Sequence, residues 1–247
     1  MSMAEVLITI EEIKEISPFS RNRFIEYLKQ IGTYSTPSAA NHLVDKLVSE
    51  GTISRIGRNR YIAEQYRKDY VFTHSDTVNT LVAEISSRHP FLDFRIFELV
   101  QLNEFVNHQI AHNIIFVYVE RGFEEDVFVT LKDAHHPSIL VKPDINLLFR
   151  YLTDETIVIG SLPSESPKGK PSFWDTRPEK FLVDLATDKL LKQIVYHGEY
   201  PGIFQGAFKN YRIDKSTMMR YARRRGAEEK YKDFLVHEAQ LPEEILA

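Results

Sequence analysis

Between Asn113 and Glu120 the chain runs Ile-Ile-Phe-Val-Tyr-Val without a single charged side chain. A surface helix would need polar residues on one side, and a half-exposed strand would alternate apolar with polar. An unbroken run bounded by polar residues and rich in β-branched types predicts a strand covered on both faces. Such a strand requires layers above and below it, and the flanking pattern supplies them. Phe91–Phe97, Ile139–Val141 and Thr156–Ile159 are further β-prone runs. Helical stretches separate them: Gly122–Asp133, with Phe123, Val127 and Leu131 on one side, and Asp144–Leu152. Strands alternating with helices predict an α/β sheet of roughly four strands joined by crossovers.

Ahead of this sheet, Ser75 or Asp76 caps a helix whose stripe is Val78, Leu81, Val82 and Ile85, and Pro90 stops it. Behind it, Ser161–Pro178 is rich in Ser, Pro, Gly and Lys and holds the only tryptophan, Trp174. This composition predicts a long loop, and loops of that length in compact domains are functional or disordered. Three helices are expected after it, over Pro178–Leu191, Gly198–Tyr211 and Asp214–Arg225.

The first sixty residues have another organisation. Thr9–Ile16 predicts a short helix. Ser20 is a suitable cap for a second over Arg21–Ile31, where Phe24, Tyr27, Leu28 and Ile31 make one apolar face and Gly32 ends it. Thr36 before Pro37 is a helix start, and Ala40, Leu43, Val44 and Leu47 carry a third helix to Glu50. Two β-prone runs around Ile53 and Tyr61 then flank Gly57-Arg58-Asn59, whose glycine and asparagine suit a tight hairpin turn. Three helices followed by a basic hairpin is the layout of a winged helix-turn-helix. The fold class read from the whole chain is therefore α/β, or α+β overall. It comprises a winged helix-turn-helix over residues 1–64, a polar linker over Glu64–Tyr70, and an α/β domain with a C-terminal helical segment over 70–247.

Chemistry follows from that layout. A third helix lying in the major groove presents the polar side chains of its first turns to base edges, here Ser38, Asn41, His42 and Lys46, with Asp45 among them. Asparagine can pair with adenine through two hydrogen bonds. Arg55, Arg58, Asn59 and Arg60 on the hairpin would reach phosphates or a neighbouring minor groove. Up to Glu64 there are eight basic and eight acidic residues, so the field is weak. Modest affinity per monomer is expected, with dimers or extra contacts making up the difference. A winged helix can also serve as a protein-binding module.

Net charge is −4 over 247 residues, but its distribution is uneven. Ser54–Lys68 holds five basic residues against one acid, and Ala207–Lys232 holds nine against three. Within the second stretch Arg220, Arg223, Arg224 and Arg225 form a candidate second surface for DNA or a protein partner. The alternative is an ordinary solvated helix end, where positive charge suits the dipole. There is no cysteine, so disulfides and thiolate metal sites are excluded. The longest apolar runs are far too short to span a bilayer, and no secretory leader is read, so a cytoplasmic location without membrane association is expected.

Catalytic constellations do not assemble. His108 and His112 stand four apart, as in zinc proteases, but Gln109 occupies the position of the general base. His135-His136 reads as a loop pair. No phosphate-binding glycine loop and no nucleophile-elbow serine is present. Gly160-Ser161 lacks the paired aspartates that a nucleotidyltransferase would place after it. Glu124-Glu125-Asp126 lies along a predicted helix surface. The expectation is a protein that is not an enzyme and needs neither metal nor cofactor.

Four stretches carry a family resemblance: Leu47–Tyr61, Asn107–Glu120, Pro178–Asp188 and Met219–Gly226. Through them the chain resembles the AbiEi-type antitoxins of bacterial type IV toxin–antitoxin (abortive infection) systems. The resemblance implies an autorepressor whose winged helix binds inverted repeats in double-stranded DNA at its own promoter. It also implies a C-terminal domain opposing a nucleotidyltransferase toxin encoded nearby, often without a stable complex. The residues leave two alternatives open: a winged-helix regulator that senses a ligand and has no toxin partner, and a nuclease.

Overall fold

A computed structural model describes residues 8, 10–32, 36–49, 51–63 and 68–241. Thr9, Glu50, Glu64 and Arg67 lie outside the described residues. The chain divides into two compact units, residues 1–68 and 69–246.

The first unit holds three helices and a hairpin: α1 (Ile10–Ile16), α2 (Arg21–Gln30), α3 (Pro37–Ser49), β1 (Ile53–Gly57) and β2 (Arg60–Ala63). The expected caps are in place. The Ser20 hydroxyl accepts from the Arg23 amide at 3.3 Å, and the Thr36 hydroxyl from the Ala39 amide at 3.2 Å. Gly32 and Gly51 follow α2 and α3 at φ +72°, conformations that L side chains resist. The antiparallel hairpin turns at Arg58-Asn59, with Asn59 at φ +56°. Phe19 adds one bridging residue to β2, its amide and carbonyl exchanging bonds of 2.9 and 2.8 Å with Tyr61. Phe24, Leu28, Ala40, Val44 and Leu47 meet Ile13, Phe19, Ile53 and Tyr61 in one core. Tyr27 is only half buried and Ile31 is exposed, so the apolar face of α2 is narrower than its periodicity suggests.

The second unit is a sheet between helical layers. Its strands are β3 (Phe94–Glu98), β4 (Asn113–Val119), β5 (Ile139–Val141) and β6 (Glu155–Ser161), in the spatial order β3-β4-β6-β5. β4, β5 and β6 are parallel, and β3 is antiparallel to β4. The central run is buried on both faces, as the apolar pattern requires. Ile115, Val117, Val119, Ile157 and Ile159 pack on α4 (Asp76–Arg88) and α5 (Glu124–Asp133). Ile114, Phe116, Tyr118 and Val158 face the other way, onto Leu148 of α6 (Ile145–Arg150) and the C-terminal helices.

Those helices are α7 (Pro178–Thr187), α8 (Leu191–Ile194), α9 (Tyr200–Asn210), α10 (Lys215–Arg224) and α11 (Glu228–His237). The first predicted C-terminal helix stops at Thr187, short of the expected Leu191, because Asp188 leaves the helical conformation at ψ 128°, and the short α8 after it was not expected. α11 was not expected. Its charged start, Glu228-Glu229-Lys230, hides the buried Tyr231, Phe234 and Leu235. The loop from 162 to 177 is ordered against the sheet: the Ile96 amide donates to the Trp174 carbonyl at 2.8 Å, so the loop covers the outer side of β3.

His74 ties the start of this unit to that loop. Its ring nitrogens meet Glu98 at 2.8 Å and Asp175 at 3.0 Å, and its side chain is almost fully buried. Burial opposes the charged imidazolium, but the hydrogen bonds to Asp175 and Glu98 prevail and lift it to about 9. Glu98 is held below the usual carboxylate range: burial pushes it up, but bonds from His74, Ser75 and Asn113 outweigh that.

Candidate nucleic-acid interface

On α3 the proposed base-reading residues fall on the outer side of the helix. Ser38, His42 and Lys46 are exposed, while Ala40, Val44 and Leu47 point into the core. The 3.6-residue period forces this division. Asn41 is half buried, and its Oδ1 accepts from Arg21 Nη1 at 3.2 Å. It keeps a lone pair and both amide protons for another partner.

Arg21 was not singled out from the sequence, yet it organises this side of the unit. Its Nη2 meets Asp45 Oδ1 at 2.5 Å, its Nε donates to the Tyr61 hydroxyl at 2.8 Å, and its guanidinium lies 5.5 Å from the Tyr61 ring centre. One side chain at the start of α2 therefore fixes α3 relative to the hairpin. The bonds to Asp45 and then Tyr61 raise its already high pKa further. The available signal was an arginine at the first position after a cap, where a helix start disfavours positive charge unless a partner compensates.

Arg55, Arg58 and Arg60 are all exposed on the hairpin. Arg58 and Arg60 meet no side-chain partner among the described residues. Asn59 differs from its neighbours. Its Oδ1 accepts from the Arg21 amide at 3.1 Å, satisfying a donor at the start of α2. The asparagine counted with the DNA contacts therefore holds the turn to the helix.

The second basic stretch does not form one cationic face. Arg223 is clamped by Glu228 through bonds of 2.6 and 2.7 Å, and Arg224 donates to the Ser164 hydroxyl at 2.7 Å. Arg220 is exposed and bonds Thr217 at 3.3 Å within its own helix. Arg225 turns inward and meets Asp184 at 3.0 Å. Four arginines spaced three, one and one apart point in different directions around a helix end, so adjacency in sequence did not give a shared surface.

Asp184 is the centre of a buried ion network. It also accepts from Lys180 Nζ at 2.5 Å and from the Tyr221 hydroxyl at 2.9 Å. Lys180 is fully buried and lies 3.8 Å from the centre of the Tyr118 ring. Desolvation pushes the Lys180 pKa down, against the pull of Asp184. The Tyr118 and Tyr231 hydroxyls are buried without a hydrogen-bond partner among the described residues. A lysine and an aspartate four apart beside Phe181-Leu182-Val183 were the visible signal of this network.

The histidine spacing considered for metal is not on a helix. His108 and His112 lie in the irregular segment before β4 and face separate carboxylates, Glu199 at 2.8 Å and Asp154 at 2.9 Å. His136 pairs with Glu84 at 2.7 Å. Among the described residues no group of three or more His, Asp or Glu side chains is arranged to hold a metal ion. No helix among them is long and apolar enough to cross a membrane.

The fold is thus a winged helix-turn-helix unit followed by a unit built on a four-stranded mixed sheet. The chain belongs to DUF6577, a family of unknown function, which matches residues 39–240 and so spans both units. No curated protein matches it. Among solved structures, the RV2827C protein from Mycobacterium tuberculosis is similar at 11% identity and a TM-score of 0.25. The similarity covers 92% of this chain and 79% of that one. A likeness at that level carries no argument about function.

Proposed function

We propose that this protein is a sequence-specific DNA-binding regulator that represses its own promoter at inverted repeats. We further propose that it serves as the antitoxin to a nucleotidyltransferase-type toxin encoded nearby. The observation that supports DNA binding is the hairpin: exposed arginines at 55, 58 and 60, two of them without a side-chain partner among the described residues, follow a helix with an exposed polar side. Unpartnered guanidinium groups are ready to displace counterions from phosphates. Ser38, Asn41, His42 and Lys46 supply the base-facing groups, and Arg21 sets the angle between helix and hairpin. The antitoxin half rests on the sequence resemblance alone. A two-fold inverted repeat calls for two copies of the chain on DNA.

The test is a gel shift on the DNA upstream of the gene against scrambled DNA of equal length, across a salt series. Preferential binding that weakens steeply with salt supports the regulator. Equal binding to both DNAs, or none, removes autorepression. Co-expression with the neighbouring nucleotidyltransferase then tests the antitoxin half, where rescue of growth is the supporting result.

A further inference from the structure

The parallel strands open a crevice at their C-terminal ends. The chain leaves β4 toward α5, which packs on one face of the sheet, and leaves the adjacent β6 toward α7, which packs on the other. Where neighbouring connections diverge in this way, open α/β sheets bind their ligands. Here the gap has a volume of about 800 Å³ and is lined by residues following β4 and β6 together with Asp93, Lys168 and Arg224. That is within the roughly 300–1,000 Å³ range of small-molecule sites.

Its wall is built rather than loose. Arg95 is fully buried, and its Nε and Nη2 donate to the Pro167 and Ser166 carbonyls at 3.1 and 3.4 Å. Its Nη1 meets Asp93 at 2.7 Å. Burying a guanidinium is costly, and here it holds the 161–168 segment in one shape. A pre-shaped wall lowers the entropy lost on binding.

The charges in the crevice are unevenly matched. Asp93 is occupied by Arg95, and Glu165 lies 3.7 Å from Arg224. Arg121, Lys168 and Glu120 have no side-chain partner among the described residues. Some cations on this unit are paired, such as Arg88 with Asp133 at 3.1 Å and Lys142 with Glu124 at 2.7 Å, and others, such as Lys189 and Lys192, are as unmatched as these two; what sets Arg121 and Lys168 apart is that both line the one crevice. Two unmatched cations suit a phosphate, and an unmatched carboxylate at the end of a strand suits sugar hydroxyls.

From this geometry we infer that the crevice binds a phosphorylated, hydroxyl-bearing small molecule of nucleotide size. Arg121 and Lys168 hold the phosphate, and Glu120 accepts from the hydroxyls. The inference does not rest on DNA binding, since every residue in it belongs to the second unit.

Calorimetry on the full chain tests it, with adenosine monophosphate and ribose 5-phosphate as probes and adenosine, ribose and a short single-stranded oligonucleotide as comparators. The phosphorylated probes should bind about tenfold or more tightly than their dephosphorylated forms. The double substitution R121A/K168A should weaken them by about tenfold or more. Glu120→Gln should weaken ribose 5-phosphate but not inorganic phosphate. Both changes are at exposed side chains, and an unaltered melting temperature without ligand verifies folding. Failure of both phosphorylated probes to bind, equal binding of adenosine, or unchanged affinity in the double variant would overturn the proposal. So would tighter binding of the oligonucleotide lost in the same variant, which would make the crevice a nucleic-acid track.

Discussion

Arg58 and Arg225 come from the two arginine-rich stretches of one chain, and they end in opposite surroundings. Arg58 stands at a hairpin tip in water, while Arg225 turns in to Asp184 beside a fully buried lysine. The difference lies in what the neighbouring segments bury. A two-stranded hairpin has no second layer to cover its tip. α10 lies between apolar helices, so the residues at its C-terminal end meet α7. A basic run is therefore an interface signal only where nothing packs over it, and the same composition can instead neutralise a buried acid.

The contrast is broken most directly at Asp184. Asp184→Ala leaves Lys180 and Arg225 without their shared carboxylate, and should cost about 3–5 kcal/mol. Denaturant unfolding of the full chain measures it. A loss below about 1 kcal/mol would mean that water reaches these cations, and that the two regions do not differ as described.

His74 should give the next largest effect. Its pKa is raised from the ordinary histidine value to about 9, so its contribution is fully present below about pH 6.5 and is lost as pH rises through about 9. On the order of 3 kcal/mol should disappear over that window, each pKa unit corresponding to about 1.4 kcal/mol. His74→Gln should flatten the pH dependence of the urea midpoint between those limits. A midpoint with the same slope in both proteins would assign the titration elsewhere.

In the first unit the expected losses are smaller and fall on DNA rather than on stability. Arg21→Ala should cost about 1 kcal/mol in unfolding and reduce discrimination between operator and scrambled DNA, because α3 loses its brace to the hairpin. Arg58→Ala should leave the melting temperature unchanged while lowering the salt slope of DNA binding by about one. Asn41→Ala should relax preference at one base pair, by about 1–3 kcal/mol, with little change at the others. The smallest effect belongs to Arg223→Ala: its pair with Glu228 is solvated, and thermal unfolding should not register its removal. DNA affinity that fell more for Arg223→Ala than for Arg58→Ala would reverse the assignment of surfaces.

Much of this molecule was legible in the chain because short-range rules decide it. The caps at Ser20, Thr36 and Ser75, the positive-φ turn at Asn59, the two-faced burial of β4 and the alternation of strands with helices all follow from spacing and residue type. Local sequence also set which side of α3 faces out, since the apolar period leaves only one outer side.

Tertiary structure decided what the charged residues do. Arg21 meets Asp45 and Tyr61 from 24 and 40 residues away, and Arg225 meets Asp184 from 41. No local pattern carries that information. A side chain's charge is written in the sequence, but whether it is solvated, paired or buried depends on which distant segment packs over it. Long-range packing also opened the crevice, by sending the connections after β4 and β6 to opposite faces of the sheet.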